Sequence, residues 1–271
     1  MKFISYAQNF EDVMLWRALK FFDNGFYIDV GANDPTSDSV TRAFYERGWS
    51  GINIEPAQGF FEALQRERPK DINLQVAAGE SEESNTFSEL KGTGLSTMSP
   101  SLAEEHKDLG RDVSESQVKT RTLTSICDEF VDGDIHFLKI DVEGYEESVL
   151  KGIDFSKYRP WIILIETPFK RDQSWEPILL EASYKPVLFD GLNTFYLSQE
   201  QISLAGAFEI PPCFLDEFQL CYGHNFSFPV TSDSDELLVQ TERASRAEAE
   251  LVAIKNGRVW RSAQFLKRLF G

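Results

Sequence analysis

The chain has 271 residues, 42% of them hydrophobic and 13% aromatic, which is material for one large domain, or one domain with a small appendage, and excludes a disordered chain. The formal charge of −17, from 27 Lys and Arg against 44 Asp and Glu, repels polyanions and excludes a nucleic-acid binder held by phosphate contacts.

The opening MKFISYAQNF turns polar before a signal peptide can develop, and no apolar stretch reaches the ~20 residues of a membrane span. The expected location is cytoplasmic. Residues 8–20 carry apolar side chains at helical spacing (Phe10, Val13, Met14, Ala18, Leu19), so 1–24 is expected as a helical lead-in or lid. GFYIDVGAND then reads as a strand and a glycine turn, with a helix following to Gly48. The pattern repeats in SGINIEP, a strand ending at an acid, in a helix stopped by Pro69, and in INLQVAAG as a third strand. Residues 81–117, rich in Ser, Glu, Gly and Thr, read as a long loop of the kind that serves as a lid or stays disordered. IHFLKID is the fourth strand, running through VEGYEESVLKGI into a helix, and PWIILIE is the fifth, apolar enough to be covered on both faces. A helix over 172–182 and an antiparallel pair, YKPVLFD and NTFYLS, complete an α/β domain over 25–204. An irregular aromatic and proline-rich extension covers 205–236, and a helix is expected over 237–271. From Glu242 onward seven basic residues face three acids, which suits a solvated helix, a coiled coil, or an element lying on a membrane surface or a protein partner. That last option would make the protein peripheral at the inner membrane face. Cys127, Cys213 and Cys221 lack ligand spacing and read as inert thiols.

Two constellations carry chemistry. Gly31 after the first strand and Glu55 at the end of the second form the pattern in which a glycine turn admits an adenosine-containing cofactor and the acid receives ribose hydroxyls. The missing G-x-G-x-x-G argues against a nicotinamide dinucleotide. Replacing Glu55 by Ala is expected to weaken the cofactor with little loss of fold. In FLKIDVEGYE, Lys139 and Asp141 sit in a central strand, where charge must be paired or functional. Asp29, Asp141 and Glu166 can reach one rim if their strands are neighbours. A structural ion pair of Lys139 with an acid is the alternative.

IDVGAN, INIEP, QVAAG, GLSTM, FLKIDVEGYE and ILIE, in this order and spacing over about Ser5 to Leu197, resemble the FkbM family of S-adenosylmethionine-dependent O-methyltransferases. The resemblance implies a class I methyltransferase (Rossmann-like) doubly wound sheet, mostly parallel with an antiparallel edge strand. It implies that Asp29, Gly31 and Asn33 surround the methionine part of S-adenosyl-L-methionine, that Glu55 holds the ribose, that Ala77 and Ala78 approach the adenine, and that Asp141 lies beside the sulfonium. SYAQNFEDVML resembles the family's lead-in, so Gln8, Glu11 and Asp12 are expected to close over the cofactor; the aromatic Phe10, where the family has a small residue, fits a core role equally well.

The acceptor hydroxyl needs alignment and a base. Candidates for the catalytic set are Asp141, Glu143, Glu166 and Lys139, with His106 or His224 as further bases; His136 is expected at the wrong edge. Asp141 with Glu166 also has the topology of a Mg2+ site in some O-methyltransferases, the alternative being direct bonds to substrate hydroxyls. The expected acceptor is a sugar or glycan hydroxyl in surface polysaccharide assembly, with Trp175, Phe195 and Tyr196 suiting a polyol. A macrolide or other small alcohol, and a non-catalytic scaffold, are the alternatives.

Overall fold

The computed structural model describes residues 2–90, 95–167 and 173–227. In chain order these form β1 (Phe3–Ser5), α1 (Glu11–Leu19), β2 (Phe26–Val30), α2 (Arg42–Tyr45), β3 (Ser50–Ile54), α3 (Gln58–Glu67), β4 (Ile72–Leu74), β5 (Ala77–Ala78), β6 (Ser84–Glu89), α4 (Pro100–Asp108), β7 (Ser114–Arg121), α5 (Leu123–Phe130), β8 (Phe137–Ile140), α6 (Glu146–Lys151), β9 (Ile162–Glu166), α7 (Glu176–Glu181), β10 (Tyr184–Phe189), β11 (Asn193–Ser198) and β12 (Phe218–Leu220), with a 3-10 run at Gln199–Phe208. Met1–Phe226 make one compact unit and Ser227–Gly271 another. The helix expected over 237–271 lies outside the described residues.

Seven strands form the main sheet in the order β10-β11-β9-β8-β2-β3-β4. β4, β3, β2, β8 and β9 are mutually parallel. β11 runs against β9, and β10 against β11. The antiparallel strand is therefore one position in from the edge, and the edge strand β10 runs with the parallel set, a correction to the expected antiparallel edge. Chain direction across the sheet reverses between β2 and β8, the switch point where a doubly wound sheet opens a crevice at its strand ends.

Alternation along the strands assigns the two faces. Ile28, Val30, Ile52, Ile54, Leu138, Ile140, Ile163 and Ile165 build one core with Ile126 of α5, Val149 of α6 and Leu179 of α7. Tyr27, Phe137, Ile162 and Leu164 build the other with Met14 and Leu15 of α1, Phe44 of α2 and Phe208. Asp29, Lys139, Asp141 and Glu166 continue this second face past its apolar part toward the strand ends.

Three elements differ from the reading of the sequence. INLQVAAG splits: β4 joins the main sheet, whereas β5 pairs with β7 in a separate three-stranded sheet, β5-β7-β6. Residues 81–117 are not one loop, because β6 and β7 pair antiparallel over six residues and α4 spans the turn between them. The helix expected before Gly48 shortens to α2. Beyond β11 the chain returns to its start, β12 pairing parallel with β1.

Candidate functional site

The turn after β2 begins the site. Gly31 has φ +75°, and a Cβ there would stand 1.9 Å from the Asp141 carbonyl oxygen, so only glycine lets the β2 and β8 ends approach this closely. Asn33 follows with φ 51°. Its N–H donates to Glu55 Oε2 at 2.9 Å, and the Ala57 N–H donates to Oε1 at 2.8 Å. Glu55 is 5% exposed, and burial pushes its carboxyl up to about 7 against those two hydrogen bonds.

Two clefts open along this rim. Gly31, Asn33, Glu55, Ala77, Ala78 and Asp141 line the first, with Phe60, Phe87, Met98 and Tyr145 adding apolar wall. Gln8, Asp29, Asn33, Lys139, Asp141, Glu143 and Glu166 line the second, a polar space of about 450 Å3. The clefts share Asn33, Phe60 and Asp141. Of the candidate residues named from the sequence, Gln8, Asp29, Gly31, Asn33, Glu55, Ala77, Ala78, Lys139, Asp141, Glu143 and Glu166 lie at one or both; Glu11, Asp12, the histidines and the aromatics Trp175, Phe195 and Tyr196 do not. Missed were the aromatic wall and the 95–98 segment, where Leu95, Ser96 and Met98 face the clefts and Thr97 Oγ1 donates to the Glu143 carbonyl at 2.6 Å. The signal was GLSTM, whose place is set by the Ser88–Thr97 bridge to β6 and the bond to the Glu143 carbonyl rather than by local pattern.

Register puts Lys139 beside Asp29. Lys139 Nζ donates to the Gly31 carbonyl at 2.7 Å and forms ion pairs with Asp29 Oδ1 at 3.3 Å and Asp141 Oδ2 at 3.2 Å. Burial lowers its proton affinity, but Asp141 and Asp29 outweigh it and hold the ammonium protonated. With one N–H on the Gly31 carbonyl and its charge shared between two carboxylates, Lys139 fixes the rim and is no base. Burial pushes Asp141 up, yet Lys139 and a hydrogen bond from Glu166 hold it below the usual carboxylate range. Burial and the neighbouring Asp141 push Glu166 well above the usual carboxylate range, so the pair shares one proton. Glu143, at φ 47°, is raised to about 7 by burial and by Asp141 and Glu146. Asp141, Glu143 and Glu166 each place an oxygen within 4.8 Å of the others.

The histidines leave the candidate set. His224 is 5% exposed; its Nδ1 accepts from the Phe226 N–H, which puts the ring proton on Nε2, facing the Ala7 carbonyl at 3.0 Å. His106, on α4, accepts from Arg111 and lines neither cleft. His136 accepts from the Phe26 N–H at the opposite strand ends, as expected. Glu11 and Asp12 are buried and line neither cleft. Glu11 accepts from the Asn9 N–H and Asn193 Nδ2, and Asp12 from Ser5 Oγ and the Tyr6 N–H. Phe10 stacks on His224 with ring centroids 5.6 Å apart and touches Phe218, a core role. Trp175, Phe195 and Tyr196 are at most 3% exposed and belong to the two cores, so they offer no sugar platform.

A family model described as a methyltransferase FkbM domain matches residues 29–198. No curated protein matches the chain.

Proposed function

The chain belongs to the FkbM-domain methyltransferase family, and on that premise we propose that it is an S-adenosylmethionine-dependent O-methyltransferase acting on a sugar hydroxyl. The observation that carries this is the pair of joined clefts at the switch point: a largely apolar one holding the buried Glu55, with Asp141 where the two meet, and a polar one rimmed by carboxylates. The strand order supports a class I fold. The first cleft suits an adenosine, with Ala77, Ala78 and Phe60 against the base. Glu55 keeps a lone pair on each oxygen beyond the two backbone bonds, enough for both ribose hydroxyls.

Bound there, the cofactor supplies an activated methyl on a sulfonium beside Asp141. An acceptor hydroxyl held in the polar cleft would take that methyl group while giving its proton to a carboxylate, so the chain's own residues orient the oxygen and remove the proton. Glu143 is the base in this reading: it faces the polar cleft, its carboxyl is poised near neutrality, and its side chain has no hydrogen-bond partner among the described residues. Asp141 serves the sulfonium charge, and Glu166 buffers Asp141 by sharing its proton. Polyols suit a rim of acceptor oxygens, which favours a sugar over a macrolide.

A second reading takes the three converging carboxylates as a Mg2+ site. Their hard oxygens fit such an ion, which would replace the proton on Glu166 and polarise the acceptor hydroxyl. Loss of methyl transfer with a strong chelator, restored by magnesium, selects this reading; indifference to both excludes it. For the cofactor, calorimetric titration with S-adenosylhomocysteine, with NAD as control, is expected to show binding of the first alone. Failure of both to bind the folded chain returns the protein to a scaffold role.

A further inference from the structure

Beneath the polar cleft lies a buried charge that the proposed chemistry does not use. Arg68, at the end of α3, is fully buried, and all five of its N–H bonds have acceptors. Nε donates to Asp71 Oδ2 at 3.0 Å, Nη1 to the Pro35 carbonyl at 3.2 Å and Ser39 Oγ at 3.5 Å, and Nη2 to Tyr27 Oη at 2.8 Å and Thr41 Oγ1 at 2.9 Å. Three of these acceptors belong to residues 35–41, the stretch without regular structure before α2 whose Ser37, Ser39 and Val40 line the cleft.

A guanidinium cannot accept a hydrogen bond, so contact with Arg68 forces the Thr41 hydroxyl to donate away from it. It donates to Asp29 Oδ2 at 2.9 Å. Asp29 is 1% exposed, and its Oδ1 has no hydrogen-bond partner among the described residues, standing 3.3 Å from Lys139 Nζ at the cleft. A buried carboxylate oxygen so placed is costly unless a ligand completes it. The donor chemistry that fits is an ammonium.

We propose that Arg68 and Thr41 are positioning residues, a relay that locks Asp29 in the orientation presenting Oδ1 to the α-ammonium of the cofactor's amino-acid arm. This rests on the cofactor reading above. The test compares S-adenosylhomocysteine with 5′-methylthioadenosine, which lacks that arm, by calorimetry on the full chain. Thr41→Val removes the hydroxyl at nearly constant shape. It is expected to weaken S-adenosylhomocysteine about tenfold while methylthioadenosine stays within about twofold, and Thr41→Ser is expected to bind both ligands like the wild type. A variant that binds S-adenosylhomocysteine like the wild type overturns the relay, as does equal weakening of both ligands, which marks a merely structural role. If Thr41→Val does not fold by thermal melting, Thr41→Ala carries the same comparison. If the wild-type chain binds neither ligand, the cofactor reading itself fails and the relay falls with it; binding by the wild type with no ligand-selective loss in the variant defeats the relay alone.

Discussion

Lys139 holds together the Gly31 turn, Asp29 and Asp141, so Lys139→Met leaves two carboxylates facing each other, one of them buried. Breaking such an arrangement costs about 3 kcal/mol or more, and urea unfolding is expected to show a loss of that order together with lost cofactor binding. Glu55 asks for a more conservative change than alanine. It accepts two N–H groups, the buried one of Ala57 and the half-buried one of Asn33, and leaving a buried donor without a partner costs about 1–3 kcal/mol, so Glu55→Ala is expected to lose stability as well as affinity, against the expectation of little loss of fold. Glu55, Glu11 and Asp12 are all raised by burial, the first two to about 7 and the third to about 6. Their folded forms bind protons more tightly than the unfolded chain, so stability falls as pH rises from the unfolded values near 4 toward the folded ones. Thermal melting of the ligand-free chain is expected at higher temperature at pH 5.5 than at pH 8, with Glu11→Gln flattening that slope; a melting point that rises steadily to pH 8 contradicts these burials.

At the scale of elements, two glycines separate backbone conformation from close approach. Gly31 and Gly110 share a φ near +75°, but a Cβ at Gly110 meets open space, whereas one at Gly31 meets the β8 end. Gly110→Ala is expected to cost about 1–2 kcal/mol, the left-handed penalty alone, and Gly31→Ala distinctly more, with loss of cofactor binding; equal costs by chemical denaturation would mean that the β2 and β8 ends can separate. The excursion from β6 to β7 shows why a polar segment misleads. Its strands carry Ser, Asn, Gln and Lys because one face meets solvent, and only Phe87, Ser88 and Thr120 are buried. It delivers Phe87, Ser96 and Met98 to the clefts.

Across the whole molecule, the segments flanking the family-matched region clamp one another. Arg17 of α1 makes a two-pronged pair with Asp216 at 2.7 Å and donates to the Ala207, Ile210 and Pro211 carbonyls. Together with the β1–β12 pairing and the Phe10–His224 stack, this holds the lead-in as part of the body, with Gln8 at the polar cleft. A chain ending at 204 is expected to unfold or lose several degrees in melting temperature, whereas one ending at 236 is expected to keep both melting temperature and S-adenosylhomocysteine affinity. No helix among the described residues is long and apolar enough to cross a membrane.

The sequence by itself determined the alternating strands and helices, because period-2 and period-3.6 apolar patterns are local consequences of one-sided burial. It also determined which acids end which strands, and so brought Asp29, Glu55, Asp141 and Glu166 to one rim. The tertiary structure decided what each polar group does there. Whether Lys139 is a base or a clamp, whether His224 is free or tied to Ala7, and whether Tyr196 is a platform or core depends on partners tens to hundreds of residues away. A pattern within one strand carries no record of them, since hydrogen-bond partners and dielectric surroundings exist only once the strands are side by side.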